Sequence, residues 1–185
     1  MPETIALYVD YRSPYSYLVK DDAYQLEQDF NVRLDWYPLC IDLPGAHGTP
    51  ETRNAREWAK VKYLYMDCRR IANKRGLIVR GTQKVYDPTT VSVGMLWAQK
   101  HNLFRNFHDA LLPRFWNREL DIEDTGAVKQ ALAAAGAPLD GFDVFLQGEG
   151  KRHLEEIQKR AEGQGVFGVP TFVYQVSGEY AMLMA

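Results

Sequence analysis

Ile5-Ala6-Leu7-Tyr8-Val9 is an apolar run that leads, four residues on, into Ser13-Pro14-Tyr15-Ser16. An alternating, partly β-branched run reads as a strand, and Ser-Pro directly after it reads as the start of a helix. Ser13 suits the N-cap, where its hydroxyl accepts from a backbone N–H. Pro14 suits the first helical position, where the missing N–H costs nothing. A dithiol redox motif, Cys-x-x-Cys, would occupy such a junction. Here serine stands at both ends of the four-residue box. The expectation is a junction that handles a thiol brought by a ligand rather than exchanging disulfides.

Working outward, residues 14–29 follow as a helix and Val32-Arg33-Leu34-Asp35-Trp36-Tyr37 alternates as a second strand. Strand, helix, strand in short order predicts a parallel βαβ unit. Pro38 to Pro50 reads as a connection rich in Pro and Gly. A helix over 53–74 carries Trp58, Val61, Tyr65, Cys68 and Ile71-Ala72 as an apolar stripe, and Gly76 stops it. Further helices are predicted from Asp87-Pro88-Thr89 to His101, from Leu103 to Arg118 with a kink or break at Pro113, from Asp124 to Gly136, over 140–146, and over 150–163. Strand character returns only at Val169-Pro170-Thr171-Phe172-Val173-Tyr174, with a hairpin turn at Ser177-Gly178 and a return strand over 180–184.

The chain has 185 residues and a net charge of −2, which gives no reason to expect nucleic acid or an anionic membrane as partner. No apolar run approaches the ~20 residues of a membrane span. The N-terminus shows no basic region or cleavage pattern, so no signal peptide is expected. Cys40 and Cys68 have no metal or redox spacing and are expected to be reduced and buried, which places the chain in the cytosol. His47, His101, His108 and His153 show no ligand spacing, and no metal site is expected.

Among candidate site residues, Ser13 stands first. A cap residue lies where the helix dipole favours negative charge, so a thiolate or carboxylate there gains from free N–H groups and the hydroxyl. Ser16, one turn on, reads as structural. Val169-Pro170 opens the late strand either as a plain first residue or as a cis bond that turns backbone groups towards a ligand. Lys60, Tyr63 and Asp67 share a helix face that is either a site wall or a solvated surface, with Asp67 and Arg70 a possible surface pair. Trp116-Asn117-Arg118 either lines a cleft or ends a helix. There is no Walker loop, Rossmann glycine pattern or nucleophile elbow.

Tyr8-Val9-Asp10-Tyr11-Arg12-Ser13-Pro14-Tyr15-Ser16-Tyr17-Leu18 resembles the opening of 2-hydroxychromene-2-carboxylate isomerases and kappa-class glutathione transferases, both of the DsbA-like branch of the thioredoxin superfamily. Gly165-Val166-Phe167-Gly168-Val169-Pro170-Thr171 is similar to the isomerases' cis-proline motif. Lys60 to Ala72 resembles the helix that supplies a lysine and an aspartate, and Arg114 to Arg118 with Asp121-Ile122 resembles a kappa-class segment. The resemblance implies an α/β fold: a thioredoxin-like domain (1–40 and 165–185, with the helix at about 149–163 packed on it) and a large all-α insertion (45–148), as in DsbA. It implies glutathione as cofactor and isomerisation of a hydroxychromene carboxylate, or conjugation of an electrophile in the kappa-like alternative. A non-catalytic DsbA-like binding module is the third reading.

In that scheme Ser13 is catalytic and holds the glutathione sulfur as thiolate. Val169, Pro170, Lys60 and Asn54 bind glutathione, and Tyr15, Ser16, Tyr63, Asp67 and Trp116 contact substrate or support the site. The partners implied are a small aromatic or electrophilic substrate and a second copy in a homodimer. Two departures stand out. Family members continue after the last hairpin with a Gly-x-Asp-Arg-like motif and a helix, whereas here Glu179-Tyr180-Ala181-Met182 stands at that place and the sequence ends at Ala185. Val91-Ser92 stands where the isomerases tend to have an asparagine.

Overall fold

Strand β1 (Glu3–Val9) lies inside a four-stranded sheet of order β2-β1-β3-β4, in a computed structural model that describes residues 2–176 and 179–184. β2 (Val32–Pro38) runs parallel to it, with Leu7 beside Trp36 and Tyr8 beside Tyr37. The crossover is α1 (Pro14–Asp29), so the opening is the βαβ unit the sequence predicts. β3 (Thr171–Val176) pairs antiparallel with the other edge of β1, Ala6 meeting Val173, and β4 (Glu179–Met184) pairs antiparallel with β3. β3 begins at Thr171, two residues after the expected Val169. The expected turn at Ser177-Gly178 lies outside the described residues.

All other described elements are helical: α2 (Leu43–His47), α3 (Ala55–Lys74), α4 (Thr89–Lys100), α5 (Phe104–Trp116), α6 (Thr125–Ala134), α7 (Phe142–Gln147) and α8 (Glu149–Gly163). Successive side chains of β1 point to opposite faces, and each face has its own partners. Trp36, level with Leu7, packs on Tyr24 of α1 and on Phe104 and His108 of α5. On the other face the Tyr8 hydroxyl donates to Oε1 of Gln164 at 2.7 Å, just past α8, and Arg160 of α8 lies over the Tyr37 ring. α8 packs against α4 so closely that a Cβ on Gly150 would sit 2.5 Å from Val93 Cγ1, which excludes any side chain there.

Three details differ from the sequence reading. The connection after β2 contains α2, a short helix capped by Asp42, whose Oδ1 accepts from the Gly45 N–H. Pro113 does not end α5: the helix continues to Trp116, and Asn117 N–H bonds to the Pro113 carbonyl. The carbonyl that Pro113 cannot serve belongs to Asp109, an exposed residue. The apolar stripe of α3 is only partly core. Cys68 and Ala72 are buried, while Trp58, Val61 and Tyr65 face a cleft. Gly76 ends α3 as expected, at φ +67°, with Leu77 N–H bonded to the Ala72 carbonyl and its own N–H to Asn73.

A polar pair is enclosed among the core aromatics. The Tyr11 hydroxyl and His108 Nδ1 share a 3.1 Å hydrogen bond among Trp36, Phe104 and Phe107. Burial pushes the His108 imidazole down to about 3 from its usual 6.5, so it stays neutral in the folded protein. The unfolded chain takes up this proton at a higher pH than the folded one. His108 therefore contributes its full stability above pH ~6.5 and loses it as pH falls towards the folded value. Urea unfolding at a series of pH values should show stability falling by up to ~1.4 kcal/mol per pH unit from this residue below pH ~6. His108→Gln should flatten that slope. An equal slope in both proteins would refute the assignment.

Candidate functional site

The junction between β1 and α1 is built as its residue types require. Ser13 is extended (φ −86°, ψ 119°), caps α1, and its Oγ accepts from the Ser16 N–H at 3.3 Å. Ser16 Oγ in turn accepts from the Asp10 N–H at 3.3 Å, and Ser13 N–H donates to the Asp10 carbonyl at 2.9 Å. Both serines are buried, and they tie the end of the strand to the first turn of the helix. First-turn helix N–H groups lack intrahelical acceptors, so a field suited to an anion emerges beside Ser13.

The Val169–Pro170 peptide is cis, and the Ser13 hydroxyl points at the Val169 carbonyl at 3.5 Å, the outer limit of a hydrogen bond. Two segments 156 residues apart in sequence thus meet. They meet on the wall of a cleft of 1360 Å³ lined also by α2, by the inward side of α3 and by the loop at 82–86. The lining is basic: Arg12, Arg53, Lys62, Arg69, Arg70 and Lys84 stand against a single carboxylate, Asp42.

Beneath the cleft lies a pair the sequence reading did not single out. Asp10 and Arg12 are both buried and joined at 2.6 Å, with Arg12 Nε 3.0 Å from Oδ1 and its backbone N–H 2.8 Å from the same oxygen. The guanidinium also donates to the carbonyls of Ile41 at 2.7 Å and Tyr86 at 3.0 Å, and Asp10 Oδ2 accepts from the Ile41 N–H. One buried ion pair therefore holds the strand–helix junction, the segment before α2 and the 82–86 loop at fixed positions.

Ser13, Tyr15 and Val169 line the cleft. Tyr15 donates to Asp67 Oδ2 at 3.0 Å, and Arg70 to Asp67 Oδ1 at 2.9 Å, linking α1 to α3. The Arg70 and Tyr15 hydrogen bonds hold the Asp67 carboxyl below its usual range. Lys60, Asn54, Tyr63, Asp67 and Trp116 lie outside the lining. Asn54 caps α3 in a reciprocal box: its side chain accepts from Arg56 and Glu57 N–H groups while Glu57 accepts from the Asn54 N–H. Lys60 and Tyr63 are exposed. Trp116 is buried, stacked on Tyr17 at 6.4 Å, and its carbonyl anchors Arg80 at the start of the loop that lines the cleft.

The α3 residues that do line the cleft are Trp58, Val61, Lys62, Leu64, Tyr65, Met66, Arg69, Arg70 and Asn73. Their spacing was visible, but the apolar members suggested core, and the cations Lys62 and Arg69 between them went unread. Phe167 was also missed. It is 80% exposed, and it borders the cleft beside the cis bond.

The family model of the DSBA-like thioredoxin domain matches residues 4–184, and the chain belongs to that family. A curated 2-hydroxychromene-2-carboxylate isomerase from Sphingobium xenophagum is 24% identical over 174 residues, covering 92% of this chain and 88% of the relative. Among solved structures, a 2-hydroxychromene-2-carboxylate isomerase superposes with a TM-score of 0.69 at 20% identity, over 96% of this chain and 87% of the other. The cytosolic disulfide reductase DsbM from Pseudomonas aeruginosa superposes with a TM-score of 0.61 at 17% identity, over 97% of this chain and 88% of the other. At such identities the structural likenesses establish the fold.

Neither cysteine stands at the junction. Cys68 is buried, as expected, whereas Cys40 is half-buried, with its sulfur 3.8 Å from Ser92 Oγ. Burial pushes both thiols up to about 11. Among the described residues no group of His, Cys, Asp and Glu could hold a metal ion, and no helix is long and apolar enough to cross a membrane. Alkylation of the native protein with iodoacetamide at pH 7 should be far slower than in denaturant, because the thiolate is the nucleophile. Rapid native labelling would contradict the raised values.

One substitution tests the buried pair. Asp10→Ala leaves the Arg12 charge buried without its partner and should cost about 3–5 kcal/mol. Hydrogen exchange should then quicken near residues 41 and 86, where the guanidinium holds the backbone. A loss under ~1 kcal/mol in chemical denaturation would show the pair to be solvated and dispensable.

Proposed function

We propose that this chain is a glutathione-dependent isomerase of the 2-hydroxychromene-2-carboxylate isomerase type. The observation that carries the reading is the meeting of Ser13, at the N-terminus of α1, with the cis Val169–Pro170 segment on the wall of a basic cleft. The curated isomerase relative supports the choice of reaction. In this proposal the glutathione sulfur lies at Ser13, whose hydroxyl turns from the long Val169 contact to donate to it. The helix terminus stabilises the thiolate, lowering the thiol pKa from ~8.5. The Val169 backbone pairs with the glutathione main chain.

The reaction that follows needs no other reagent. The hemiketal ring of the substrate first opens: the bond from C2 to the aryl oxygen breaks, C2 becomes a carbonyl, and the hemiketal proton passes to the phenolate oxygen. The thiolate then adds to the carbon–carbon double bond now conjugated with that carbonyl, and the electron pair passes to the carbonyl oxygen as an enolate. The former double bond is now single and rotates. Collapse of the enolate restores the double bond in the other geometry and expels the thiolate. Donors fixed at the site stabilise the charge as it moves.

A kappa-like transferase is the second reading, favoured by Val91-Ser92, whose side chains are buried in α4 and offer no asparagine to a substrate. It shares Ser13 and glutathione, and an electrophile panel separates the two. Homodimer assembly belongs to the same proposal and is checked by light scattering.

Calorimetric titration with glutathione, followed by ultraviolet absorbance of the thiolate, is the direct test. Binding with thiolate formation at neutral pH is expected. Ser13→Ala should raise the pKa of the bound thiol and cut turnover, while costing only ~1 kcal/mol of stability through the lost cap. Unchanged turnover would reduce Ser13 to a cap, and no binding at millimolar glutathione would remove the cofactor from the proposal.

A further inference from the structure

The cations of the cleft are not equivalent. Arg12 is neutralised by Asp10, Arg70 by Asp67, and Lys84 by Glu123 with Asp121 nearby. Arg53 lies over the Trp58 ring and donates Nε to the His47 carbonyl. Lys62 and Arg69 form no ion pair with any carboxylate among the described residues, although both line the cleft. A helix turns once in ~3.6 residues, so Lys62, Tyr65, Met66 and Arg69, at relative positions 0, 3, 4 and 7, form one stripe on α3.

The stripe is held in place. Arg69 Nε donates to the Val79 carbonyl at 3.0 Å and its guanidinium lies 5.3 Å over the Tyr65 ring. Its Nη1 and Nη2 donors have no hydrogen-bond partner among the described residues and remain for a ligand. The Tyr65 hydroxyl is fixed by the Thr82 N–H at 3.3 Å and Thr82 Oγ1 at 3.4 Å. Met66 is 64% exposed, a flexible thioether on an otherwise basic wall, and such a side chain packs readily on a ring. Two cations without counter-charge, flanking an aromatic and a thioether in a half-enclosed cleft, match an anion with an aromatic body. A planar carboxylate suits the two free guanidinium nitrogens in particular.

We propose that this stripe seats an aromatic carboxylate, with Lys62 and Arg69 receiving the carboxylate and Tyr65 and Met66 the ring. The assignment rests on the function proposed above for the choice of substrate class, and it names the specificity-determining residues of that site. None of the four was among the site residues expected from the sequence. The stripe belongs to α3, while Ser13 and Val169 come from the start of α1 and the segment before β3, so the second substrate and the thiol occupy different walls.

The probes are trans-cinnamate and its uncharged counterpart cinnamamide, titrated by calorimetry into the full chain with and without glutathione. Wild type should favour the acid over the amide by about tenfold, as for charge-assisted hydrogen bonds in a partly open site. Lys62→Gln and Arg69→Gln, each confirmed folded by circular dichroism, should each weaken cinnamate about fivefold. Both should leave cinnamamide and glutathione unchanged. Equal affinity for acid and amide, or failure of wild type to bind cinnamate, overturns the assignment. A loss of glutathione affinity in the variants with cinnamate unaffected overturns it too, since the stripe would then hold the cofactor. Cinnamate binding without any glutathione binding would keep the stripe and sink the glutathione-dependent reaction instead.

Discussion

The buried Asp10–Arg12 pair is the constraint on which the site depends. Two charges taken out of water are expensive unless each is fully hydrogen-bonded. Here the guanidinium is satisfied by one carboxylate and two backbone carbonyls, and the carboxylate by two backbone N–H groups and the guanidinium. That satisfaction is possible only when residues 10, 41 and 86 are brought together. The pair therefore converts a requirement for charge compensation into a positional specification. Ser13 is one residue beyond Arg12, so its placement inherits that specification.

Around this anchor the cleft is made from parts that the folded core does not need. α3 buries only Cys68 and Ala72 fully, packs Ile71 against the core, and gives Trp58, Val61, Tyr65 and Arg69 to the cleft. The 82–86 loop has no helix or strand of its own and is held by charges: Arg118 Nε to the Gly81 carbonyl at 2.7 Å, Lys84 to Glu123, and Arg12 to the Tyr86 carbonyl. Arg118 sits at φ +61°, which a long side chain adopts at some cost. Ion pairs and strained backbone at a cavity wall are the places where local preference yields to the shape of a site.

The fold was legible because its parts have local causes. Period-two runs over residues 4–10 and 32–37, the Ser13-Pro14 start, and glycine at 76 and 136 each act within a few residues. The parallel βαβ unit and the late hairpin followed from them. The site was half legible. The cap chemistry at the strand–helix junction singled out Ser13, and the X-Pro opening of the late strand singled out Val169; the structure brings them together. The face of α3 that lines the cleft carries Lys62 and Tyr65, two positions out of phase with the Lys60 and Tyr63 singled out in the sequence. A mixed stripe of aromatic and cationic residues has the period of a core stripe, and periodicity alone does not tell an open cavity from a packed interior. The Asp10–Arg12 pair was unreadable for a different reason: two of its partners are backbone carbonyls, which leave no trace in side-chain patterns.

The pairing of β1 with β3 has a consequence for how the molecule comes into being. Ala6 meets Val173 only after the whole helical region has been synthesised. Closing so long a segment carries an entropy cost that grows as the logarithm of its length, and contacts of this range form late. β1 and β2 can pair on the emerging chain, while the far edge of β1 waits, open to mispairing, until β3 has been synthesised. Ser13 meets Val169 by that same closure. A chain in which Ser13 faces Val169 is therefore one in which β1 and β3 have already closed, and molecules that lack β3 carry no half-formed version of that wall.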